Sequence, residues 1–586
     1  MALLTNMFLL CLSVLSSYAQ FAAPAHDVTT LESQLDPAVK ITYKETHICE
    51  TTPGVKSYSG YVHLPVSALN GVADYNISTF FWYFEARHNP KTAPLAIYLS
   101  GGPGEPSSKA VVSSESGPCY VNPDGNSTTV NPWSFNQHVN MLYIDQPVQT
   151  GFSYNSLIVG TFNLETSDVI PLESYGVLPT QNATYRVGTF SSQNPLQTTN
   201  TSITSAGALW RFAEHWFTSF PEHNTKSKQV SIWGNSYGGY WVPAVTAYFD
   251  QQIKAASSHP KLHALKMSTM GLTNGCVDFL TQTPYYPQYA YNNTYAPLIP
   301  KAVYQELNNN FTKTGGCRDL IEECRQLGQL SDPDFTGANQ TVNEACTLAT
   351  DFCYAYAIGT LNAVNRDDFD IAITSATIDS CGPGGEYLPM YTFLNQPWVL
   401  ADLGVPLNWT WGSNIILDVY SLNFGGSDTV GTGDSFRRGK IDFEYVLQND
   451  IGVSMIFGDR DYRCNWLAGE GLSREAQYPG KTQFNAAGYE KIVTNNTYDG
   501  GVVRQHGKFS FARVFESGHS VSAYQPETVY RIFQRSMFGQ DVATGKDVVG
   551  SLYSSKGPAS SFGIKNNLPK SPSGCIVEGK FVKGSD

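Results

Sequence analysis

The stretch KQVSIWGNSYGGYWVPAVTAYFDQQIKAA, residues 228–256, passes from a strand-length apolar run through a Gly-rich turn into a helical pattern. Its centre, Gly234-Asn235-Ser236-Tyr237-Gly238, has the form GxSxG. A serine on a tight strand-to-helix turn must hold a strained backbone, and glycines two before and two after it let the chain turn without collision. A lone GxSxG also fits a plain turn. The strand before it and the helix after it favour a serine nucleophile at Ser236.

Outward from this turn, four more apolar runs have strand length: PLAIYL (94–99), NMLYID (140–145), VSMIFGD (453–459) and FSFARVFES (509–517). Each ends at Gly, Asp or Pro or shortly before one, as strands buried on both faces do. Helical patterns at 207–221 and 240–256 lie between them. Strands alternating with helices imply an α/β fold around a mostly parallel sheet. Residues ~155–200 are rich in Ser, Thr, Asn and Pro and read as a surface insertion. Residues ~285–400, with clustered cysteines, read as an inserted cap, and the chain ends in a polar tail.

A serine nucleophile needs a base and a group to orient that base. With this strand-turn-helix arrangement the expected chain order is serine, acid, histidine. After the Asp-rich turn at 459–461 only His506 and His519 remain. His519 directly follows a predicted strand, whereas His506 lies in a polar, Gly-flanked stretch and reads as a solvated loop residue. Asp459 and Asp461 are both candidates for the acid. Glu516 is a third, but it would lie within a strand. Backbone N–H groups for an oxyanion hole must be held free of obstructing side chains, and Ser100-Gly101-Gly102-Pro103-Gly104 supplies such a turn after a strand.

Composition narrows the field. The 586 residues are 41% hydrophobic and 15% charged, with a formal net charge of -13. A large core is affordable, and general nucleic-acid binding, which needs the opposite sign, is excluded. Residues 1–19 have the short apolar run and small-residue cleavage site of a signal peptide. No later run is long enough to span a membrane, and the polar C-terminus lacks the hydrophobic tail of a lipid-anchor signal.

Ten cysteines follow the leader, an even set that suggests disulfides, while the absence of CxxC or HExxH spacing gives a metal site no support. Cys317 and Cys324 are spaced like Cys346 and Cys353. The expected pairing is Cys317–Cys353 enclosing Cys324–Cys346. Nine Asn-x-Ser/Thr sequons are candidate glycosylation sites: Asn76, Asn126, Asn182, Asn200, Asn292, Asn310, Asn339, Asn408 and Asn495.

Six ordered blocks, SGGPG (100–104), ESGPC (115–119), DQPVQTGFSY (145–154), GNSYGGYWVP (234–243), GDRDYRCNW (458–466) and SGHSV (517–521), resemble the serine carboxypeptidase family. The resemblance covers about residues 40–540 and includes the nested cysteine spacing. It implies an α/β-hydrolase fold with an inserted, disulfide-bonded, largely helical cap. The layout would be a signal peptide at 1–19, a core at 40–284 and 401–545, a cap at 285–400 and a polar tail at 546–586. It further implies a secreted or vacuolar exopeptidase acting on peptide or protein C-termini, with no cofactor, no metal, no nucleic-acid partner and no membrane anchor.

By the same resemblance Ser236 is the nucleophile, Asp461 the acid and His519 the base, with Gly102 and Tyr237 as oxyanion donors. Ser100, Gly101, Glu115 and Asn235 occupy the positions that bind the substrate's α-carboxylate. Two of these depart from the family pattern, since Ser100 replaces Asn and Asn235 replaces Glu. A neutral amide in place of one of two proton-sharing acids implies a less acidic pH optimum. The departures also leave open an esterase or acyltransferase on the same scaffold. A catalytically silent peptide-binding glycoprotein is a third reading, disfavoured by the complete Ser-Asp-His set. Glu105 and Ser520 replace a Cys and a Met usual in the family. Cys464, unpaired in many relatives, is expected to be a buried thiol.

Overall fold

The computed structural model describes residues 21–22, 26–113, 115–172, 179, 181–182, 184–374, 388–421, 431–569, 574–577 and 580–583. The expected signal peptide and Cys381 lie outside these residues, as does the side chain of Cys575.

Twelve strands form one sheet. Its middle consists of Asn140–Ile144, Leu95–Leu99, Gln229–Asn235, Lys266–Thr273, Gly452–Gly458 and Phe509–Val514, in that spatial order. All neighbours within this set are parallel. The strands Thr29–Glu32, Lys40–Thr46, Ser57–Leu64 and Ile77–Phe84 extend one edge, antiparallel throughout. Tyr498–His506 and Glu490–Asn495 extend the other edge in the same manner. The sheet is therefore mixed, with the expected parallel strands at its centre.

The central strands are buried on both faces, and alternate side chains feed two cores. Leu95, Ile97 and Leu99 join one core with Trp216 and Trp241, which lie on the helices Ser202–Ser219 and Gly238–Ala255. Ala96 and Tyr98 join the other, with Ile532 and Phe533 of the helix Pro526–Met537. A capping box at Thr201 starts the first of these helices earlier than the sequence pattern suggested.

The block expected to form a cap is helical. Its helices Cys317–Ser331 and Gln340–Ala357 are joined by Cys317–Cys353 and Cys324–Cys346. A spacing of seven residues is two helical turns, so both cysteines of each helix fall on one face. The chain rejoins the sheet at Gly452, after the further helices Asn414–Tyr420, Asp434–Arg437 and Ile441–Gln448.

Several local expectations are corrected. The insertion at 155–200 contains a three-stranded antiparallel sheet, an element the sequence reading did not name. The polar tail after 546 is bound to the core through residue 566. Arg513 Nη1 donates to Ser561 O at 2.7 Å, and Asn566 Nδ2 donates to Asp459 Oδ2 at 2.9 Å, so backbone and amide groups bind it to the core. His506 ends a strand, half-buried, with Nδ1 2.7 Å from Ser554 Oγ. Glu516 lies beyond the strand Phe509–Val514, at φ +55°.

Asn408 is buried, with Oδ1 accepting from Thr189 N and Nδ2 donating to Asn395 Oδ1, so the fold occupies the nitrogen a glycan would need. The other sequon asparagines are exposed or half-exposed. Among the described residues no helix is long and apolar enough to cross a membrane, and no group of three His, Cys, Asp or Glu could hold a metal ion.

Candidate active site

The three candidate catalytic residues follow strands of the parallel centre. Ser236 ends Gln229–Asn235, Asp461 follows Gly452–Gly458 and His519 follows Phe509–Val514. In a parallel sheet, loops at the carboxyl ends of neighbouring strands converge on one edge. The strand Lys266–Thr273 lies between the serine strand and the acid strand, and its following turn connects all three loops.

Ser236 has φ +58°, the left-handed conformation expected of a nucleophile on a strained turn. Three glycines make room for it. A Cβ on Gly234 would lie 2.3 Å from Leu99 O, one on Gly239 would lie 2.0 Å from Cys276 O, and one on Gly101 would lie 2.7 Å from both Ser236 Cβ and Tyr237 N. The turn Ser100–Gly104 therefore presses directly on the nucleophile turn. Among the described residues neither Gly102 N nor Tyr237 N donates a hydrogen bond within the protein, which leaves both expected oxyanion donors available.

His519 Nδ1 donates to Asp461 Oδ2 at 2.8 Å, and both side chains are buried. Cys464 N donates to the same carboxylate oxygen at 3.3 Å. His519 Nε2 is buried without a hydrogen-bond partner, so the nitrogen that would take a proton is uncommitted. Burial pulls the His519 pKa down, but the Asp461 charge outweighs it and the net shift is upward. Burial raises the Asp461 pKa, opposed by the facing imidazole.

Asp459, the rival acid, faces elsewhere. Its carboxylate accepts from Arg513 Nη2 at 3.1 Å, Tyr295 OH at 2.6 Å and Asn566 Nδ2 at 2.9 Å, a buried ion pair that joins the core to the C-terminal segment.

The expected carboxylate-binding residues behave differently from one another. Gly101 N does not remain free for substrate, because it donates to Asn235 Oδ1 at 3.2 Å. A carboxylate oxygen could accept the same bond, so what the departure at Asn235 adds is an Nδ2 donor that a carboxylate lacks. Ser100 Oγ is buried and unpartnered, while Ser100 N donates to Ser107 Oγ at 3.0 Å. Glu115 accepts from Tyr98 OH at 3.4 Å. Burial raises its pKa, with Lys109 opposing, and favours the protonated carboxyl. Lys109 itself pairs with Glu105 at 3.2 Å, in the position where a cysteine is usual.

Cys464 is not a free thiol but forms a disulfide with Cys276. Cys49 pairs with Cys119. Sequence reasoning also missed Asn274, a fully buried residue at φ +42°. Its Nδ2 donates to Gly518 O and His519 O, and its Oδ1 accepts from Gly458 N, so one side chain ties the base loop to the acid strand. The Asn274-Gly275 dipeptide after the apolar run 266–273 was the available turn signal. Phe369, from the cap, accepts from His519 N at 2.8 Å and places its ring 4.9 Å from the imidazole.

Comparison with known proteins places the chain in a family. The sequence profile described as serine carboxypeptidase matches residues 48–539. Carboxypeptidase S1 homolog A of Arthroderma otae is 43% identical over 569 residues, covering 95% of this chain and 85% of that protein. Carboxypeptidase S1 of Penicillium janthinellum is 29% identical, covering 84% and 97% of the two chains. The crystal structure of a prohormone-processing carboxypeptidase from Saccharomyces cerevisiae shares the fold, with a TM-score of 0.58 at 18% identity over 82% of this chain and 91% of that one. The chain belongs to the serine carboxypeptidase family and is a serine-type carboxypeptidase.

Proposed function

We propose that this enzyme is secreted and releases C-terminal residues from peptides through an acyl-enzyme formed on Ser236. His519 Nε2 takes the Ser236 proton as Oγ attacks the last peptide carbonyl, and Gly102 N and Tyr237 N receive the developing oxyanion. The imidazolium then protonates the leaving amine. Water, deprotonated by the same nitrogen, releases the shortened peptide. Asp461 holds the imidazole in the tautomer this requires.

The observation that carries the reading is the 2.8 Å Asp461–His519 pair, set at the same sheet edge as a serine at φ +58°. For the substrate carboxylate, the supporting groups are Glu115, whose pKa is raised by burial, and the Nδ2 of Asn235, a donor that needs no proton. This supports an optimum less acidic than that of a pair of carboxyls sharing one proton. The apolar leader supports export, and the exposed sequons support glycosylation there.

The test compares an N-blocked dipeptide having a free C-terminal carboxylate with its amide, from pH 4 to 8, with Ser236→Ala as control. Preference for the free acid, lost in the variant, is expected. Equal rates, or turnover of simple esters only, would sink the exopeptidase reading. The esterase or acyltransferase would then stand, a reading already favoured by one fact, that Gly101 N is engaged by Asn235.

A further inference from the structure

The Cys276–Cys464 disulfide joins two segments 188 residues apart, and each half is bonded to a different candidate catalytic residue. Cys276 N donates to Ser236 O at 3.2 Å. Cys276 O is also the atom that excludes a side chain at Gly239, so this residue packs against the nucleophile turn from outside. Cys464 N donates to Asp461 Oδ2. That carboxylate has two donors among the described residues, His519 Nδ1 and Cys464 N, both on Oδ2, while its buried Oδ1 has none. The aim of Asp461 at His519 thus depends on where the Cys464 backbone sits.

Asn465, the next residue, caps the helix Trp466–Glu475 by accepting from Ala468 N, so Cys464 is fixed on its far side as well. The sulfurs are buried, at 6% and 1% exposure for the two residues, which places the bridge inside the site's supporting wall.

Resting on the assignment of Ser236, Asp461 and His519 as the catalytic set, we propose that the Cys276–Cys464 disulfide is a positioning cross-link that fixes the nucleophile turn against the acid loop. Turnover depends on it, and substrate binding does not. Without the bridge, the Cys464 amide is free to drift from Asp461, which then loses the one donor besides the histidine that it has among the described residues. A misplacement of about 1 Å in a supporting group can cost on the order of 100-fold in rate.

The experiment compares four proteins: wild type, Ser236→Ala, the Cys276→Ala/Cys464→Ala double variant, and a Cys49→Ala/Cys119→Ala double variant as a second-disulfide control. The Cys276/Cys464 variant is expected to lose about 10- to 100-fold in kcat. Its KM should stay near wild type, its fluorophosphonate labelling should slow in proportion, and the acidic limb of its kcat/KM profile should move to lower pH. The Cys49/Cys119 variant should lose thermal stability without moving that limb. A Cys276/Cys464 variant with wild-type kcat and an unmoved limb overturns the proposal. Retained activity in Ser236→Ala overturns the catalytic assignment itself, so the two failures are distinguishable.

If the double variant does not fold, brief treatment of the native enzyme with a phosphine reductant, followed by alkylation and peptide mapping, replaces it. Activity loss that tracks alkylation at Cys276 and Cys464 supports the cross-link. Full activity in protein alkylated at both positions overturns it.

Discussion

Gly101 N donates to Asn235 Oδ1 at 3.2 Å, joining the residue before the proposed nucleophile to the turn that carries Gly102, a proposed oxyanion donor. The contact makes Asn235, a departure from the family pattern, a structural link between the turn at 100–104 and the turn at Ser236. Asn235→Glu tests this. By the family resemblance, a carboxylate at this position would share a proton with Glu115, which requires lower pH. Turnover of a free-acid dipeptide by the variant is expected to peak at more acidic pH than wild type, while ester turnover keeps its profile. Parallel pH–rate curves for the two substrates check it.

The same site predicts opposite limbs in the wild-type profile. His519 has a raised pKa, so its basic form is lost as pH falls through a value above the ordinary 6.5 of an imidazole. Glu115 also has a raised pKa, so its donating, protonated form persists above the usual carboxyl range and is lost as pH rises through that value. The His519 limb should appear in kcat/KM for every substrate. The Glu115 limb should appear for free acids and be absent for esters and amides. Steady-state rates on matched substrates decide this.

The two neighbouring aspartates should separate by what they damage. Asp461→Asn leaves His519 Nδ1 facing an amide, favours the wrong tautomer and is expected to lower kcat by about 10⁴-fold with the fold intact. Asp459→Asn removes the partner of a wholly buried Arg513 guanidinium. Leaving that charge unpaired should cost about 3–5 kcal/mol of stability, with kcat of the folded enzyme close to wild type. Denaturant unfolding and active-site titration on both variants distinguish the outcomes.

The candidate catalytic residues could be named because their signals are local in sequence. The elbow at 234–238 and the strands ending before Asp461 and His519 can each be read from one short window. What could not be read is what joins those windows. The Asn274 side chain reaches 244 and 245 residues along the chain to Gly518 and His519, and Cys276 bonds across 188 residues to Cys464. Neither residue carries a local pattern that names its partner. The antiparallel edge strands escaped for another reason. Ser57–Leu64 is buried nearly throughout but carries Ser57, Ser59, Gly60 and His63, so it shows neither a continuous apolar run nor the period-two alternation of a half-buried strand. Asn408 has a perfect sequon, but its burial is a property of the packed insertion, which no triplet encodes.

The elbow makes a final prediction, because its glycines are not equivalent. The GxSxG pattern names Gly234 and Gly238, yet a Cβ on Gly238 would meet Leu99 O at 3.3 Å, a contact the neighbour can relieve by a small shift. Gly238 is the first residue of the helix Gly238–Ala255, where alanine's helical preference offsets part of that crowding. Gly239 lies outside the motif, but a Cβ there would fall 2.0 Å from Cys276 O, a backbone atom beside the disulfide. Gly238→Ala should therefore fold with a stability change within about 1 kcal/mol and retain measurable turnover. Gly239→Ala must push the 274–276 turn away from Ser236. It should cost about 3 kcal/mol or more and lower kcat in the protein that still folds. Urea unfolding with kcat measured on the same preparations tests the pair, and equal damage from both substitutions would show that helix entry, not the Cys276 carbonyl, sets the tolerance of this turn.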